Sequence, residues 1–284
     1  MTARPFVSVI IPAYNAQGFL NDAVESATSQ TYPELDIIIV DDGSTDGTGD
    51  AADSLARGDA RVRVIHQPNA GLAAARNTAL RTVRGDFVCF LDADDAFLPE
   101  KVEKQTDFLR ANPEIGLVYS DLYLGDAQLG ARQLRRTGTP PLSFPDLFVL
   151  RNWFQPIVPM LTAALVRRVG FFDESLAAAE DWDYWIRCAA ETQFGYLPEP
   201  VAVYRRHPTQ MSRQSERMSR AQNQLIAKHY AHSAVSHRRA RAARHLESAK
   251  SSKRQPLLMV RELARFARAV PGWRDAALLF RVVE

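Results

Sequence analysis

Short apolar runs alternate with amphipathic segments through the first 120 residues, and this alternation limits the fold more than any other feature. The runs are predicted to be strands at residues 7–11, 35–40, 61–65, 86–91 and 115–120. Apolar residues at helical spacing predict helices at residues 19–27, 45–57, 72–83 and 99–112. Most of the runs contain several consecutive apolar residues, as in strands covered on both faces. The pattern therefore predicts an α/β domain with a mostly parallel sheet flanked by helices.

The alternation weakens after about residue 122. A stretch rich in Gly, Pro and Arg at 124–145 is predicted to be a mobile loop. Further strands are predicted at 162–167, 194–197 and 201–204, and a helix at 181–191. From about residue 215 the chain is predicted to be helical and basic.

Charge is divided unevenly along the chain. Residues 1–204 carry 17 Lys and Arg against 28 Asp and Glu, whereas residues 205–284 carry 18 against 5. Cationic amphipathic helices in the basic part favour contact with an anionic membrane surface. Nucleic acid is disfavoured as a partner because residues 233–254 lack interleaved aromatic side chains. Alternatively, the basic part packs as a helical cap on the preceding domain or forms an oligomer contact.

The sequence predicts neither a leader peptide nor a membrane span, since it contains no run of about 18 apolar residues. Its two cysteines, Cys89 and Cys188, stand in apolar or aromatic surroundings and are expected to be reduced. We therefore expect a cytoplasmic protein, attached to the cytoplasmic face of a membrane if the basic part binds lipid.

Polar residues follow three of the predicted strands at the point where each ends. Pro12, Ala13 and Tyr14 follow the first strand, Asp41 and Asp42 the second, and Asp92, Asp94 and Asp95 the fourth. Ligands of open α/β sheets bind at the carboxyl ends of the strands, so we expect these residues to line one negative cleft.

Neither G-x-G-x-x-G after the first strand nor G-x-x-x-x-G-K-[ST] occurs, which disfavours a dinucleotide fold and a phosphate loop. A carboxylate-lined cleft repels phosphates unless a hard cation such as Mg²⁺ or Mn²⁺ intervenes, so the acids predict a metal-bridged nucleotide. Residues 42–53 also approach a calcium-loop pattern, but a strand precedes them where that loop follows a helix. We interpret them as a strand-to-helix turn with a capping residue.

Three segments together resemble the family 2 glycosyltransferases with the GT-A fold, over roughly residues 5–210. The first segment runs from VSVIIPAYN through LDIIIVDDGSTDGT, the second is NAGLAAARNTALRTVRGDFVCFLDADDAFLP, and the third is EDWDYWIR. The resemblance implies a GT-A-type, Rossmann-like sheet, and the basic helical part predicted from about residue 215 follows it as an extension. It also implies transfer from a nucleotide-diphosphate sugar with Mg²⁺ or Mn²⁺.

The resemblance implies roles for individual residues. The nucleobase and ribose pocket would be lined by Pro12, Ala13, Tyr14 and Asp41, with Arg76 helping to hold the nucleotide. Of the acids after the fourth strand, Asp92 would meet the ribose, and Asp94 or Asp95 the metal. The Glu180–Asp181 pair would be catalytic, with Asp181 as the base, and His207 would reach the metal or the diphosphate.

Each of these residues also has a purely structural interpretation. The acids at 92–95 could form a solvated turn, Asp41 could cap a helix, and Glu180 with Asp181 could complement a helix N-terminus. Tyr14 could be a core aromatic and His207 a surface residue. Trp182 and Trp185 lie on one helix face and are interpreted as packing residues rather than as a sugar-stacking surface.

The sequence thus predicts a metal-dependent, inverting glycosyltransferase for a cell-surface polysaccharide or glycolipid, with a glycan or lipid-linked acceptor. Its domains are predicted at 1–214 and 215–284, the first divided into a nucleotide-sugar half (about 1–121) and an acceptor half (about 122–214). The alternatives are a sugar-phosphate nucleotidyltransferase and a non-catalytic nucleotide-sugar binder or scaffold.

Overall fold

The computed structural model describes residues 4–139, 151–211 and 215–230. One compact unit comprises Met1–Gly138 and Phe154–Gln214, and it contains all nine strands found in the described residues. A second unit comprises Thr139–Trp153 and Ser215–Glu284.

Four parallel strands form one half of the sheet, in the order β3-β2-β1-β4. They are β1 (Val7–Ala13), β2 (Leu35–Asp41), β3 (Val62–His66) and β4 (Phe87–Phe90). Helices α1 (Leu20–Thr28), α2 (Thr48–Gly58) and α3 (Leu72–Leu80) connect them. Every residue of β1 and β2 is buried, because both faces of these strands are covered. The first four predicted strands are therefore confirmed.

The other half of the sheet continues the order as β4-β8-β6-β9-β5, with β7 beside β6. Its strands are β5 (Ala96–Phe97), β6 (Ile115–Gly125), β7 (Arg132–Arg135), β8 (Met160–Thr162) and β9 (Gln193–Arg205). Its helices are α4 (Lys101–Ala111), α5 (Ala163–Val169) and α6 (Glu180–Glu191). Strand β8 is antiparallel to both β4 and β6, so β6 and β9 run in the same direction as β1–β4. The sheet is thus mostly parallel, as predicted.

Two predictions for the second half were wrong. Residues 162–167 are not a strand, because β8 ends at Thr162 and α5 starts at Ala163. The Thr162 hydroxyl accepts a hydrogen bond from the Leu165 N–H (3.2 Å) and caps the helix there. The predicted strands at 194–197 and 201–204 are one strand, β9, which absorbs irregularities in its pairing with β6.

The predicted loop at 124–145 was wrong over its first part, where β6 and β7 form a hairpin. Asp126 closes the turn by accepting hydrogen bonds from the backbone N–H groups of Gln128 (3.1 Å), Gly130 (2.8 Å) and Ala131 (2.9 Å). Such local side-chain bonds stabilise a tight turn. Residues 140–145 lie outside the described residues.

Lys101 lies fully buried under the sheet, at the start of α4. Its Nζ donates hydrogen bonds to Gln105 Oε1 (2.6 Å) and to the Val158 carbonyl (3.0 Å). Both acceptors are neutral, so burial lowers the pKa of Lys101 to about 8.

The second unit contributes one described helix, α7 (Ser215–Tyr230), whose positions Ala221, Leu225 and Ile226 are buried. The rest of the predicted basic extension, from residue 231 onward, lies outside the described residues. Among the helices that are described, none combines the length and apolarity needed to cross a membrane. The domain boundary at residue 214 stays a prediction.

Candidate active site

The three acids after β4 lie close together but have different surroundings. Asp95 is buried, and its Oδ1 accepts a hydrogen bond from the Arg205 backbone N–H (2.7 Å). Its Oδ2 is buried without a hydrogen-bond partner among the described groups. Burial, together with the charges of Asp94 and Asp92, raises the pKa of Asp95 well above its usual value. This loop thus retains an oxygen that needs a proton or a cation.

Asp94 contacts a histidine that follows the end of β9. Its Oδ2 lies 2.8 Å from His207 Nε2, and its side chain is partly exposed. The other ring nitrogen, His207 Nδ1, lies 2.9 Å from Thr209 Oγ1, and the ring packs on Phe19 with a centroid separation of 4.6 Å. A carboxylate oxygen and an imidazole nitrogen are thereby held together by their neighbours.

Arg205 fixes both segments that carry this pair. Its side chain donates to the Asp94 carbonyl (2.6 Å), to the Ala127 carbonyl (2.7 Å) and to Asp22 Oδ2 (2.7 Å). It is almost fully buried and packs over the Phe19 ring. Arg205 therefore joins α1, the loop after β4 and the β6–β7 turn to the end of β9. Sequence reasoning missed this residue.

Arg76 connects the acidic loop to helix α6. Its Nη2 lies 2.7 Å from Asp92 Oδ1 and its Nη1 lies 2.5 Å from Glu180 Oε1. Burial alone would lower the pKa of Arg76, but the charges of Asp92 and Glu180 raise it above its ordinary value. The guanidinium also packs over Phe172, 5.4 Å from the ring centroid. Arg76 is fully buried, so it holds two candidate site acids in place.

The Glu180–Asp181 pair begins α6, as the sequence predicted to within one residue. Ala179 precedes it in the left-handed backbone region (φ 59°), which is uncommon for a residue with a side chain. Glu180 is buried against Arg76, whereas Asp181 is only half-buried and accepts a hydrogen bond from the Trp182 N–H (2.8 Å). Trp182 and Trp185 lie in the core, which confirms their interpretation as packing residues.

Asp41 and Tyr14 lie at the same edge, at the ends of β2 and β1. Ala13 pairs in register with Asp41, and Tyr14 follows with 51% of its surface exposed, so the core interpretation of Tyr14 is wrong. Asp41 Oδ1 accepts from the Ser44 N–H (3.1 Å), and Oδ2 lies 3.0 Å from His66 Nδ1. Burial acts to raise the pKa of Asp41, but hydrogen bonds from Ser44 and His66 lower it overall.

The side chains of the calcium-like stretch serve local structure. Asp42 accepts from the backbone N–H groups of Ala70 (2.9 Å) and Gly71 (2.8 Å), and Asp46 accepts from that of Thr48 (3.0 Å). In the described part of the chain, no group of three or more His, Cys, Asp or Glu side chains is arranged to hold a metal by itself. Residues 42–47 thus form the strand-to-helix turn, but residues 48–53 belong to α2, and its N-cap residue Gly47 makes no side-chain capping bond.

A family model described as "Glycosyl transferase family 2" matches residues 8–169, more than half of the chain. The chain belongs to glycosyltransferase family 2.

Other members of the family resemble the chain over part of their length. "Uncharacterized glycosyltransferase EpsJ" of Bacillus subtilis is 30% identical over 228 residues, which cover 73% of this chain and 63% of EpsJ. "Putative teichuronic acid biosynthesis glycosyltransferase TuaG" of the same organism is 45% identical over 107 residues, 37% of this chain and 42% of TuaG. The alignment with a Rickettsia bellii relative spans only 28% of that protein. The chain thus matches less than two thirds of the length of these curated relatives.

Solved structures confirm the fold. S. aureus TarS 1–349 in complex with UDP-GlcNAc superposes with a TM-score of 0.65 at 21% identity, covering 96% of this chain and 83% of TarS 1–349. The mannosyltransferase PcManGT from Pyrobaculum calidifontis, in complex with GDP-Man and Mn²⁺, superposes with a TM-score of 0.57 at 21% identity, covering 99% and 80%. This glycosyltransferase family 2 chain therefore has the predicted GT-A-type α/β fold.

Most of the predicted site residues lie at the carboxyl edge of the sheet. Asp92, Asp94, Glu180 and His207 are linked there by direct contacts or through Arg76. Pro12 and Ala13 end β1 beside Asp41. The roles of all these residues in binding a nucleotide or a metal remain predictions. Sequence reasoning missed His66, although it directly follows the apolar run of β3 and pairs in register with Asp41.

Proposed function

We propose that this chain is a metal-dependent, inverting glycosyltransferase that moves a sugar from a nucleotide-diphosphate sugar to an acceptor hydroxyl. The observation that carries the proposal is the contact between Asp94 and His207 (2.8 Å), in which Asp94 lies on the loop that Arg76 links to the Glu180–Asp181 helix. The candidate metal site and the candidate base are thus connected through the hydrogen bonds of Arg76. Family membership supports the same chemistry.

Asp94 and His207 are the residues that would hold the metal. They offer an oxygen and a nitrogen ligand, which suits a cation that completes its shell with diphosphate oxygens and water. The unpartnered Oδ2 of Asp95, in the same loop, adds a further buried carboxylate oxygen. When bound, Mg²⁺ or Mn²⁺ would supply a Lewis acid for the departing diphosphate. The complex of PcManGT with GDP-Man and Mn²⁺ supports this assignment.

The donor nucleotide would lie over the carboxyl ends of β1 and β2. In this proposal Tyr14 stacks on the base, Asp41 accepts a hydrogen bond from it, and Pro12 and Ala13 shape the pocket floor. Asp92 would contact the ribose. Because Arg76 is buried between Asp92 and Glu180, it would act on the nucleotide by positioning Asp92. The UDP-GlcNAc complex of TarS supports a nucleotide-sugar ligand for this fold.

Asp181 would act as the general base. An acceptor hydroxyl is a poor nucleophile, and a carboxylate that takes its proton in the transition state speeds the attack. Glu180 is engaged by Arg76, whereas Asp181 is the more exposed acid of the pair. Attack from the face opposite the diphosphate would invert the anomeric carbon.

The acceptor is proposed to be a growing cell-surface glycan or a lipid-linked sugar. The similarity to a putative teichuronic acid biosynthesis enzyme supports a polysaccharide product. We assign the acceptor side to the half at about 122–214. The excess of Lys and Arg in residues 205–284 would draw the protein to an anionic membrane surface, on the cytoplasmic side. Deleting residues 233–284 should then reduce binding to phosphatidylglycerol vesicles, and unchanged binding would contradict this part.

A thermal-shift screen tests the central proposal. UDP-, GDP- and dTDP-sugars are added with and without Mn²⁺, because a ligand that binds the folded state raises Tm by mass action. We expect at least one donor to raise Tm more strongly with Mn²⁺, and that donor then serves in a transfer assay. Asp94→Asn should abolish the metal-dependent part of the shift. If no donor raises Tm in the presence of Mn²⁺, the proposal fails.

A further inference from the structure

His66 stands between two carboxylates at the nucleotide end of the sheet. Its Nδ1 lies 3.0 Å from Asp41 Oδ2, and its Nε2 lies 3.1 Å from Asp53 Oδ1. Asp41 ends β2, Asp53 lies on α2, and His66 ends β3 directly opposite Asp41. The ring therefore bridges the last residue of one strand to the helix that follows it.

Only the protonated ring satisfies both contacts. A neutral imidazole has one donor and one acceptor nitrogen, whereas both of its neighbours here are acceptors. Hydrogen bonds to Asp41 and then to Asp53 accordingly raise the pKa of His66, and these two acids are the charged groups that act on the ring. His66 is thus a hydrogen-bond donor toward Asp41.

The contact with His66 sets both the ionisation and the orientation of the Asp41 carboxylate. Ser44 donates to one oxygen and His66 to the other, so the carboxylate is ionised and its plane is fixed. The first turn of α2 closes over the pair. A methyl group added at Gly49 would lie 3.0 Å from Asp41 Oδ2 and 3.6 Å from His66 Cε1. Gly49 therefore lets the backbone of α2 pack closely against the Asp41 carboxylate, beside the His66 ring.

An ionised carboxylate in a base pocket discriminates by hydrogen-bond pattern, because it can only accept. Uracil, thymine and guanine carry a ring N–H on their pairing edge. Cytosine and adenine carry an unprotonated ring nitrogen there, whose lone pair faces a carboxylate unfavourably, so they can donate to Asp41 only through the exocyclic amino group beside that nitrogen. A pocket in which Asp41 is held as an acceptor thus favours the first three bases.

We propose that His66 is a positioning residue that holds Asp41 as an oriented acceptor, so that the site selects nucleotides of uracil, thymine or guanine. The inference rests on the proposed function, since it takes Asp41 as the contact to the donor's base. It adds a residue and a base preference to that proposal.

Titration calorimetry on the full chain with Mn²⁺ tests the inference, using UDP, dTDP, GDP, CDP and ADP as probes. Wild type, His66→Ala, His66→Asn and His66→Gln are compared. The Asn amide places a donor near the position of Nδ1, facing Asp41, whereas the Gln amide places one near Nε2, facing Asp53. The two amides are therefore matched controls with opposite expectations.

We expect wild type to bind its best uracil, thymine or guanine nucleotide at least about tenfold more tightly than CDP and ADP. His66→Ala and His66→Gln should lose most of that ratio, and His66→Asn should restore most of it. If His66→Ala does not fold, the comparison of His66→Asn with His66→Gln still tests the inference.

Two results overturn the inference while leaving the proposed function intact: a wild type that prefers CDP or ADP, or an equal preference in the Asn and Gln variants. Wild-type protein that binds none of the five nucleotides contradicts the proposed function itself, and with it this inference.

Discussion

Asp94 Oδ2 and His207 Nε2 lie 2.8 Å apart although 113 positions separate them in the chain. The contact exists because β5, which follows the acidic loop, pairs antiparallel with the end of β9. Arg205 then ties the two segments with a backbone and a side-chain hydrogen bond. The pair is thus built by the sheet and does not depend on a flexible loop.

His207→Ala should weaken the metal dependence of nucleotide binding strongly. Outer-shell partners of metal ligands typically affect affinity by about 10- to 100-fold, so we expect about tenfold for Thr209→Val and a larger loss for His207→Ala. The measurement is the Mn²⁺ concentration that gives half of the thermal shift with UDP. Equal Mn²⁺ requirements in wild type and His207→Ala would show that the histidine is not a ligand.

Asp181→Asn should remove turnover but keep donor binding. Loss of a general base lowers the rate by about 100-fold or more, while the amide keeps the shape of the side chain. Single-turnover transfer measures the rate, and the thermal shift with donor measures binding. Glu191→Gln, which makes the same charge change at the exposed far end of α6, is the control and should keep wild-type turnover. Wild-type turnover in folded Asp181→Asn would exclude Asp181 as the base.

Arg76→Met should destabilise the fold by about 3–5 kcal/mol, because it leaves Asp92 and Glu180 without their buried cation. Arg81→Met, one turn further along the chain and half exposed, should cost less than about 1 kcal/mol. Urea unfolding measures both. Adding Asp92→Asn and Glu180→Gln to Arg76→Met should recover part of the loss, since neutral amides need no counter-charge. Similar midpoints for the two arginine variants would refute this assignment.

Lys101 should make stability rise with pH in the alkaline range. Its pKa is about 8 in the folded state and about 10.4 in an unfolded chain, so between these values the unfolded state binds more protons. The burial penalty is complete below about pH 8 and disappears as pH rises through this window, a change of at most about 3 kcal/mol. Unfolding free energies of wild type and Lys101→Met are compared from pH 7.5 to 10. The unfolding free energy of wild type should increase relative to that of Lys101→Met as the pH rises. A difference that stays constant with pH would contradict the low pKa of Lys101.

Gly49→Ala should separate stability from nucleotide binding. Alanine favours a helix over glycine by about 1 kcal/mol, but the new methyl group presses on Asp41 Oδ2 at 3.0 Å. We expect a similar or higher Tm together with weaker binding of UDP or GDP. Gly58→Ala, at the other end of α2, adds a methyl group that meets no described atom within 4 Å. Gly58→Ala should raise Tm without changing the affinity for UDP or GDP. Equal nucleotide affinities in Gly49→Ala and Gly58→Ala would show that the contact between position 49 and Asp41 does not affect nucleotide binding.

Local pattern was enough to predict the first half of the sheet and the position of its acids. The run that forms β2 is apolar apart from Asp36, and the acids Asp41 and Asp92 directly follow the runs of β2 and β4. The three residues of β8 were misplaced because so short a strand has no measurable period, and the same apolar residues continue into α5.

The residues that sequence reasoning missed act over long separations. Arg205 bonds to Asp22 across 183 positions, and no local pattern reports such a partner. His66 gave a weaker signal, as a histidine at a strand end beside the predicted site. Its pairing with Asp53 depends on how α2 packs against β3.

The position of β8 has a consequence for how the protein assembles in the cell. Strands β1–β4 pair among themselves, but among the described strands β6 is joined to them through β8, which is made some 35 residues after β6 ends. A nascent chain that has emerged only to residue 125 therefore presents an unpaired edge on β4 and a strand β6 that lacks all of its partners β7, β8 and β9. Open edges of this kind invite pairing with other chains. We expect synthesis of this protein to depend on chaperones that shield those edges until β8 arrives.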